Sequence, residues 1–152
     1  LNQLAAHGIH HAFLTLHVGY GTFKAITAEH LEEHQVAPED FVLSEETAAQ
    51  LNDTRARGGR IVAVGTTSTR VLETQYQDGA FRSGHGQTNT YLYPPYNFQG
   101  VDVLQTNFHL PKSSLLALTC AFGGTRLILD AYRYAVIHQF RFYSYGDAML
   151  IV

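Results

Sequence analysis

A short apolar run that leads directly into a hydroxyl-rich segment constrains the fold of this chain most. Residues 60–64 are mainly apolar and lie between Gly59 and Gly65, a pattern typical of a strand buried on both faces of a sheet. Residues 68–75 then have the pattern of a helix. Because strands and helices alternate in this way, we predict an α/β fold whose sheet is mainly parallel.

Other patterns add elements to that frame, with no linker and no internal repeat. Ser44 precedes two glutamates, and a serine followed by acidic residues is typical of a helix start. The length of 152 residues suggests a single α/β domain over residues 1–152. We predict strands at residues 12–18, 39–43, 90–93, 101–104, 140–143 and 148–152, a polar loop at 78–86, and further helices at 114–122 and 125–138.

The composition limits the classes of function. The net charge of −3 argues mildly against autonomous binding to nucleic acid, although nine histidines weaken this argument because histidine titrates near neutral pH. The single cysteine, Cys120, excludes an internal disulfide and lies in an apolar run, so we expect a buried, inert thiol. No apolar stretch approaches the ~20 residues that span a bilayer. The chain opens without Met, which suggests part of a longer protein.

The hydroxyl-rich segment is the first candidate site. It lies where the predicted buried strand turns into a helix, and the free N–H groups of a helix start bind anions. Hydroxyls and an arginine there would complete a site for a carboxylate or a phosphate. The alternative is a well-capped helix with spare hydroxyls. The candidate ligands are Gly65, Thr66, Thr67, Ser68 and Arg70.

Two further segments carry candidate residues. Asn107, His109 and Lys112 lie in a predicted loop before a helix, where a histidine can act as a general acid or base if it reaches substrate. The alternative is a loop histidine bonded to the backbone. Near the end of an earlier predicted strand, glycines allow the backbone to approach a ligand closely, although their spacing favours a plain turn. That segment contains His17, Gly19, Gly21 and Thr22.

Metal binding and RNA stacking are weaker hypotheses. His30 and His34 have the i, i+4 spacing of a zinc site on a helix, but no third ligand is evident and a solvated helix face is favoured. Arg126, Arg133 and Arg141 alternate with aromatic residues, a combination that can hold phosphates and stack bases. An amphipathic helix with a solvated arginine face is the favoured interpretation, and only Arg141 is kept as a candidate.

Four segments, taken together and in order, resemble the signature blocks of one family. The first resembles TLHVGxGTF, the second a strand followed by GTTSxR and Leu-Glu, the third VDxLxTNFHLP, and the fourth YRFFSYGDAM. The family is the S-adenosylmethionine:tRNA ribosyltransferase-isomerases of queuosine biosynthesis. The matching segments are residues 15–23, 59–73, 101–116 and 141–149.

This resemblance implies the C-terminal half of a longer enzyme, folded as a three-layer α/β/α sandwich, with the family's small β-barrel domain absent. The family moves the ribosyl part of S-adenosylmethionine onto an aminomethyl-deazaguanine base in tRNA, and it releases adenine and methionine. The resemblance implies no metal, S-adenosylmethionine consumed as a substrate, a monomer without a membrane partner, and a cytoplasmic location. The candidate catalytic residues in matching blocks are His17, His109 and Asp147.

The chain also departs from the family pattern. Val36 and Ala37 stand where the family has Met and a second His, and Pro95 stands where it has Gly. A proline at this position fixes φ near −65°. These departures leave a second hypothesis open, in which the chain is a catalytically inactive fragment or an RNA- or nucleotide-binding module on the same fold.

Overall fold

The structure is a computed structural model and describes residues 1–19, 21 and 24–152. Short 3₁₀ helices lie at Leu31–Glu33 and Tyr143–Tyr145. The helices are α1 (Asn2–Ala6), α2 (Glu45–Ala56), α3 (Thr66–Gln75), α4 (Ser114–Gly123) and α5 (Thr125–Ile137). The strands are β1 (Thr15–Leu16), β2 (Glu39–Leu43), β3 (Val62–Val64), β4 (Tyr76–Gln77), β5 (Ala80–Phe81), β6 (Gly84–Thr88), β7 (Val103–Asn107) and β8 (Ala148–Ile151).

The strands form three small sheets in a mixed α/β fold. One sheet has the order β1-β2-β6, the second has the order β3-β7-β8, and β4 and β5 form a hairpin. Among the described residues only β3 and β7 pair in parallel, and every other pairing is antiparallel. The α/β class is confirmed. The prediction of a mainly parallel sheet is wrong for these residues, and the three-layer arrangement stays a prediction.

The reason for this error lies in the partners of β2. Although β2 and β3 follow one another with only α2 between them, they belong to different sheets. The neighbours of β2 are β1 and β6. Strand β6 has the polar sequence Gly-His-Gly-Gln-Thr, and its residues 84–86 belong to the predicted loop at 78–86. The alternation of strand and helix along the sequence therefore does not reflect adjacent parallel strands.

Two clusters of side chains form the core. The larger one joins α3 to the strands around it, and Val71 and Leu104 at its centre are fully buried. The smaller one lies between β8 and the pair α4 and α5, and it contains Phe108, Cys120 and Ile128. Burial raises the pKa of the Cys120 thiol, and the prediction that this residue is buried is confirmed.

Serine side chains begin two of the helices. Ser44 Oγ accepts a hydrogen bond of 3.1 Å from Thr47 N–H at the start of α2, as its sequence position predicted. Ser113 Oγ does the same for Leu116 N–H, at 3.1 Å, at the start of α4. Within the described residues no single helix is long and apolar enough to cross a membrane, and α4 and α5 meet that criterion only as a pair bent by 117°.

Some expected packing faces are exposed. Residues 60–64 were predicted to be buried on both faces, but Val62 and Val64 are 50% and 64% exposed while Ala63 between them is buried. Helix α3 packs on β3, and the alternation of buried and exposed residues shows that only one face of this strand is covered. Other predicted strands are shorter or absent. Residues 12–18 contribute only Thr15–Leu16, and residues 90–93 form no strand. Residues 140–142 form no strand either, and a 3₁₀ helix begins at Tyr143.

Candidate active site

The parallel pair β3–β7 brings two of the candidate segments together. Because parallel strands end at the same edge of a sheet, the segment that follows β3 lies beside the segment that follows β7. The contact is direct, since Gly65 N–H donates a 2.8 Å hydrogen bond to the carbonyl oxygen of Gln105. Gly65 has φ of 94°, a left-handed conformation that favours glycine, and it directs the chain from β3 into α3.

The antiparallel strand β8 adds the fourth segment to the same edge. Asn107 Nδ2 donates hydrogen bonds to the carbonyl oxygens of Gly146, at 3.4 Å, and Asp147, at 3.3 Å. Tyr143 N–H donates to the carbonyl oxygen of Phe108 at 2.9 Å. Residues 106–112 and 141–149 therefore lie against one another.

The glycine-containing first segment reaches this edge from the other sheet. Gly19 N–H donates a 2.6 Å hydrogen bond to Glu39 Oε1. Ile26, three residues after this segment, donates a 2.7 Å hydrogen bond from its N–H to the carbonyl oxygen of Lys112. A Cβ on Gly21 would lie 3.0 Å from the Cβ of Ala37, so the backbone passes close to the segment before β2. Thr22 lies outside the described residues. All four segments thus meet around one region.

His109 is the most buried of the candidate catalytic groups. Its Nε2 lies 2.8 Å from Thr106 Oγ1, and its backbone N–H donates to Tyr132 Oη at 2.9 Å. Burial lowers the pKa of the His109 imidazole to about 4. The side chain is therefore neutral at pH 7, and it can donate or accept a hydrogen bond but does not carry a stored proton.

A depression of about 80 Å³ opens beside His109. Leu110, Pro111 and Leu115 give it an apolar wall, and the other lining residues are Ala25, Lys112, Ser113 and Tyr143. A smaller depression of about 10 Å³ shares Leu115 with it. Arg70, Thr90 and Tyr91 line that second depression, together with Val36, Leu92, Ser114 and Leu118.

Arg70 has protein partners, which changes the interpretation of the hydroxyl-rich segment. Its guanidinium forms a buried ion pair with Glu39, and it donates to the carbonyl oxygens of Thr90, at 3.2 Å, and Thr88, at 3.4 Å. At the start of α3, Ser68 Oγ donates to the carbonyl oxygen of Val64 at 2.9 Å. Thr66 is buried, whereas Thr67 and Ser68 are half-buried. The structure therefore brings this segment to the site edge while Arg70 points to internal partners.

Asp147 and Arg141 form a pair at the rim. The Asp147 carboxylate accepts hydrogen bonds from Arg141 N–H at 2.8 Å and from Arg141 Nη2 at 3.2 Å. The backbone hydrogen bond, and after it the guanidinium, lowers the pKa of the Asp147 carboxyl below its ordinary value. Asp147 is therefore ionised at neutral pH and is a weak base. Arg141 is exposed.

The remaining candidates lie further out. His17 is exposed, and its backbone N–H donates to the carbonyl oxygen of Asp40 at 2.8 Å. Lys112 is also exposed, at the mouth of the larger depression. The zinc hypothesis required a shared helix face, but His30 and His34 flank a single 3₁₀ turn and both have extended backbone. Among the described residues no group of three or more His, Cys, Asp or Glu side chains is arranged to hold a metal ion.

Sequence reasoning missed two buried glutamates, Glu39 and Glu73. Glu39 receives the Gly19 amide and the Arg70 guanidinium. Glu73 accepts from Tyr96 Oη at 3.1 Å and from a row of backbone N–H groups. Those groups belong to Gln99 (3.0 Å), Gly100 (2.8 Å) and Val101 (3.1 Å). One signal was present in the sequence: apolar Phe41 and Leu43 stand at alternate positions, and alternation places Glu39 on the same face of the strand. The structure buries all three residues.

The fold and the site define a mixed α/β protein with a polar site at the carboxyl ends of its parallel strands, where such proteins usually bind ligands. The sequence model of the family described as "Queuosine biosynthesis protein" matches residues 1–151. The chain belongs to that family.

Known proteins agree with this assignment. The chain is 53% identical over 152 residues to S-adenosylmethionine:tRNA ribosyltransferase-isomerase of Anaeromyxobacter dehalogenans, covering 100% of this chain and 44% of that protein. It is 52% identical over 153 residues to the protein of the same name from Trichlorobacter lovleyi, covering 100% of this chain and 45% of that protein. The chain thus spans less than half the length of these curated relatives.

A solved structure also matches. The crystal structure of S-adenosylmethionine tRNA ribosyltransferase from Thermotoga maritima superposes with a TM-score of 0.82 at 42% sequence identity. The match covers 99% of this chain and 48% of that chain. The mixed α/β architecture described above is therefore shared with a protein of that name.

Proposed function

We propose that this chain supplies the C-terminal half of an S-adenosylmethionine:tRNA ribosyltransferase-isomerase. The reaction moves the ribosyl part of S-adenosylmethionine onto the aminomethyl group of a deazaguanine base in tRNA and isomerises it to give epoxyqueuosine, with release of adenine and methionine. The observation that carries the proposal is the meeting of all four segments around the ends of β3 and β7. Membership of the family supports it.

The partners follow from this reaction. We propose that the protein binds tRNA carrying the precursor base and S-adenosylmethionine, which is consumed as a substrate, and that it uses no metal or other cofactor. We further propose that it acts as a monomer in the cytoplasm without a membrane partner. The relatives' names support tRNA and S-adenosylmethionine as substrates.

The neutral imidazole of His109 suits the departure of adenine. A leaving adenine needs a proton or a hydrogen bond, and a histidine with a pKa of about 4 holds no extra proton at pH 7. We therefore assign His109 the role of a hydrogen-bonding group for the base or the ribosyl part rather than that of a protonated acid. Its place in the wall of the larger depression supports this assignment.

The remaining candidate residues are suited to different parts of the substrates. The start of α3, with Gly65, Thr66, Thr67 and Ser68, is suited to the methionine carboxylate or a tRNA phosphate, because helix N–H groups bind anions. Lys112 would add a cation at the mouth of the depression, and Asn107 is suited to hold the loop beside it. Gly19 and Gly21 would allow close approach of the substrate to the backbone.

The base that takes a proton from the substrate is assigned by comparing two candidates. Asp147 is paired with Arg141, which lowers the pKa of its carboxyl and favours a role in holding the rim. His17 is exposed in the first segment, directly after β1. We therefore propose His17 as the base and the Asp147–Arg141 pair as the group that holds the fourth segment in place, with Arg70 as an internal anchor of the second.

Adenine release from S-adenosylmethionine tests the proposal. The assay compares tRNA carrying the aminomethyl-deazaguanine base with tRNA that lacks it, and adenine is measured by chromatography. Release that depends on the modified base is the expected result. A folded chain that releases no adenine with either tRNA, alone or joined to the remaining half of a relative, would contradict the proposal.

One observation favours a second candidate, a non-catalytic module that binds RNA or a nucleotide. Ala37, which stands where the family has His, lies so close to Gly21 that a Cβ on the glycine would be 3.0 Å away. An imidazole is therefore missing beside Gly21 of the first segment, residues 15–23, which is called the glycine segment below. This candidate would be supported if the chain binds the modified tRNA without releasing adenine, and if Ala37→His restores adenine release.

A further inference from the structure

Glu39 joins two parts of the site that are distant in sequence. One oxygen of its carboxylate, Oε1, accepts the Gly19 amide at 2.6 Å. The other, Oε2, is paired with Nη1 of Arg70. The residue is only 3% exposed. A single buried side chain therefore connects the glycine segment to helix α3.

The acceptor is held rigidly from both sides. Glu39 lies in β2 and pairs in register with Thr88 of β6. Arg70 is fixed in turn by the carbonyl oxygens of Thr88 and Thr90. Because both members of the ion pair are attached to β6 or to the residues just after it, the carboxylate has little freedom to move away from Gly19.

The glycine segment and the residues just after it are consequently held at two points. Gly19 is held by Glu39, and Ile26 is held by the carbonyl oxygen of Lys112 at 2.7 Å. Between these points lies Ala25, which lines the depression beside His109. We propose that Glu39 is a positioning residue, which fixes Gly19 and thereby sets the glycine segment against the pocket of His109 and Lys112. This inference rests on the proposed function.

The substitution Glu39→Gln separates the two contacts. A carboxylate offers two acceptor oxygens, whereas an amide offers one oxygen and one donor. The buried Arg70 guanidinium takes the single oxygen, because a charged donor forms a stronger hydrogen bond than a neutral backbone N–H. The Gly19 N–H then loses its acceptor. Glu39→Asp is the second variant: it keeps the charge for Arg70, so the fold survives, but it is one methylene too short to reach both partners.

Glu73→Gln is the matched control. Glu73 is also a buried glutamate that accepts backbone N–H groups, those of Gly100 and Val101 among them. Those groups lie before β7, whereas the site lies after it. Both substitutions remove one negative charge and buried hydrogen bonds. Glu39→Gln also leaves the buried Arg70 cation without its counter-charge. Glu39→Asp keeps that charge, so a change shared by both residue-39 variants and absent from the control reports on the contact with Gly19.

Two readouts are measured on the active protein: amide hydrogen exchange at Gly19, and the KM and kcat for adenine release. We expect Glu39→Gln and Glu39→Asp to speed exchange at Gly19 and to raise KM for S-adenosylmethionine by about tenfold, the effect of one displaced hydrogen bond. Glu73→Gln should leave KM and exchange at Gly19 unchanged while lowering the unfolding midpoint.

Two results would overturn the inference: unchanged KM and Gly19 exchange in both residue-39 variants, or equal changes in the Glu73→Gln control. Failure of the proposed function is separate, because it is seen in the unsubstituted protein as absence of adenine release. In that case exchange at Gly19 still decides whether Glu39 fixes the segment.

Discussion

Two buried glutamates accept hydrogen bonds around α3, but their partners differ. Glu39 lies beside the first half of the helix, and Glu73 lies within its second half. Among the described residues, Glu73 accepts from neutral donors only, and most of these are backbone N–H groups of one loop. Glu39 holds a charged guanidinium and an amide from a distant segment. A neutral cluster can lose one member at the cost of a hydrogen bond, whereas an ion pair that loses one member leaves a buried charge. The polar interior is therefore less tolerant of substitution at the site end of α3.

The largest expected effect breaks the ion pair. Arg70→Met leaves the Glu39 carboxylate buried without its cation, and we expect the free energy of unfolding to fall by about 3–5 kcal/mol. Urea denaturation followed by circular dichroism measures this loss. Arg133→Met is the control, because Arg133 and Asp130 form an exposed pair and such pairs contribute about 0–1 kcal/mol. Equal losses in the two variants would remove the distinction between the buried and the exposed pair.

Titration of His109 should give the next effect. Its pKa is lowered from 6.5 to about 4 by burial, so protons bind the unfolded state more readily. The stability due to neutral His109 is fully present above pH 6.5 and is lost as pH falls through about 4, to a total of about 3 kcal/mol. The measurement compares unfolding free energies of the protein and of His109→Gln between pH 7 and pH 4. If the unfolding free energies of the two proteins change equally with pH, the lowered pKa of His109 is contradicted.

Local patterns predicted the elements that depend on near neighbours. The strand at residues 39–43, the Ser44 cap and the helices α4 and α5 follow from alternation, capping and apolar content. Strand β6 does not, because its polar sequence becomes a strand only by pairing with β2, which lies about forty residues earlier along the chain in the register Glu39 with Thr88. Sheet order is a long-range property that periodicity cannot supply.

In the candidate site, too, local patterns predicted the single segments but not how they are arranged in space. Glycines and hydroxyls marked each segment separately, and the likeness to one family connected them. Their spatial meeting depends on the parallel pair β3–β7 and on the 2.7 Å hydrogen bond from Ile26 to Lys112. Whether Arg70 faced a ligand or a protein carboxylate depended on the inward position of Glu39. That position follows from which face of β2 is buried. The face is set by what packs on the sheet β1-β2-β6, and α3 contacts both β1 and β6.

An intermediate loss of stability is expected at the end of α3 that carries Glu73. Glu73→Gln removes the charge from a cluster of hydrogen bonds, and hydrogen bonds to charged groups contribute about 1.5–3 kcal/mol. We expect the free energy of unfolding to fall within that range, below the loss for Arg70→Met. Urea denaturation under identical conditions measures it. A larger loss than that of Arg70→Met would reverse the order of the two ends.

The smallest expected effect concerns Tyr96, which donates to Glu73 at 3.1 Å. Burial, and then the Glu73 carboxylate, raises the pKa of the Tyr96 phenol from 10.0 to about 12. The stability due to the protonated phenol is therefore fully present below pH 10 and is lost as pH rises through about 12. Tyr96→Phe should cost about 1 kcal/mol at pH 7 and should flatten the alkaline loss of stability. Tyr132, whose phenol pKa is also raised to about 12, titrates in both proteins, so only the difference between them reports on Tyr96. If that difference is absent between pH 7 and pH 12, the phenol contributes nothing to the Glu73 cluster, and the tolerance of this end of α3 comes from its backbone donors alone.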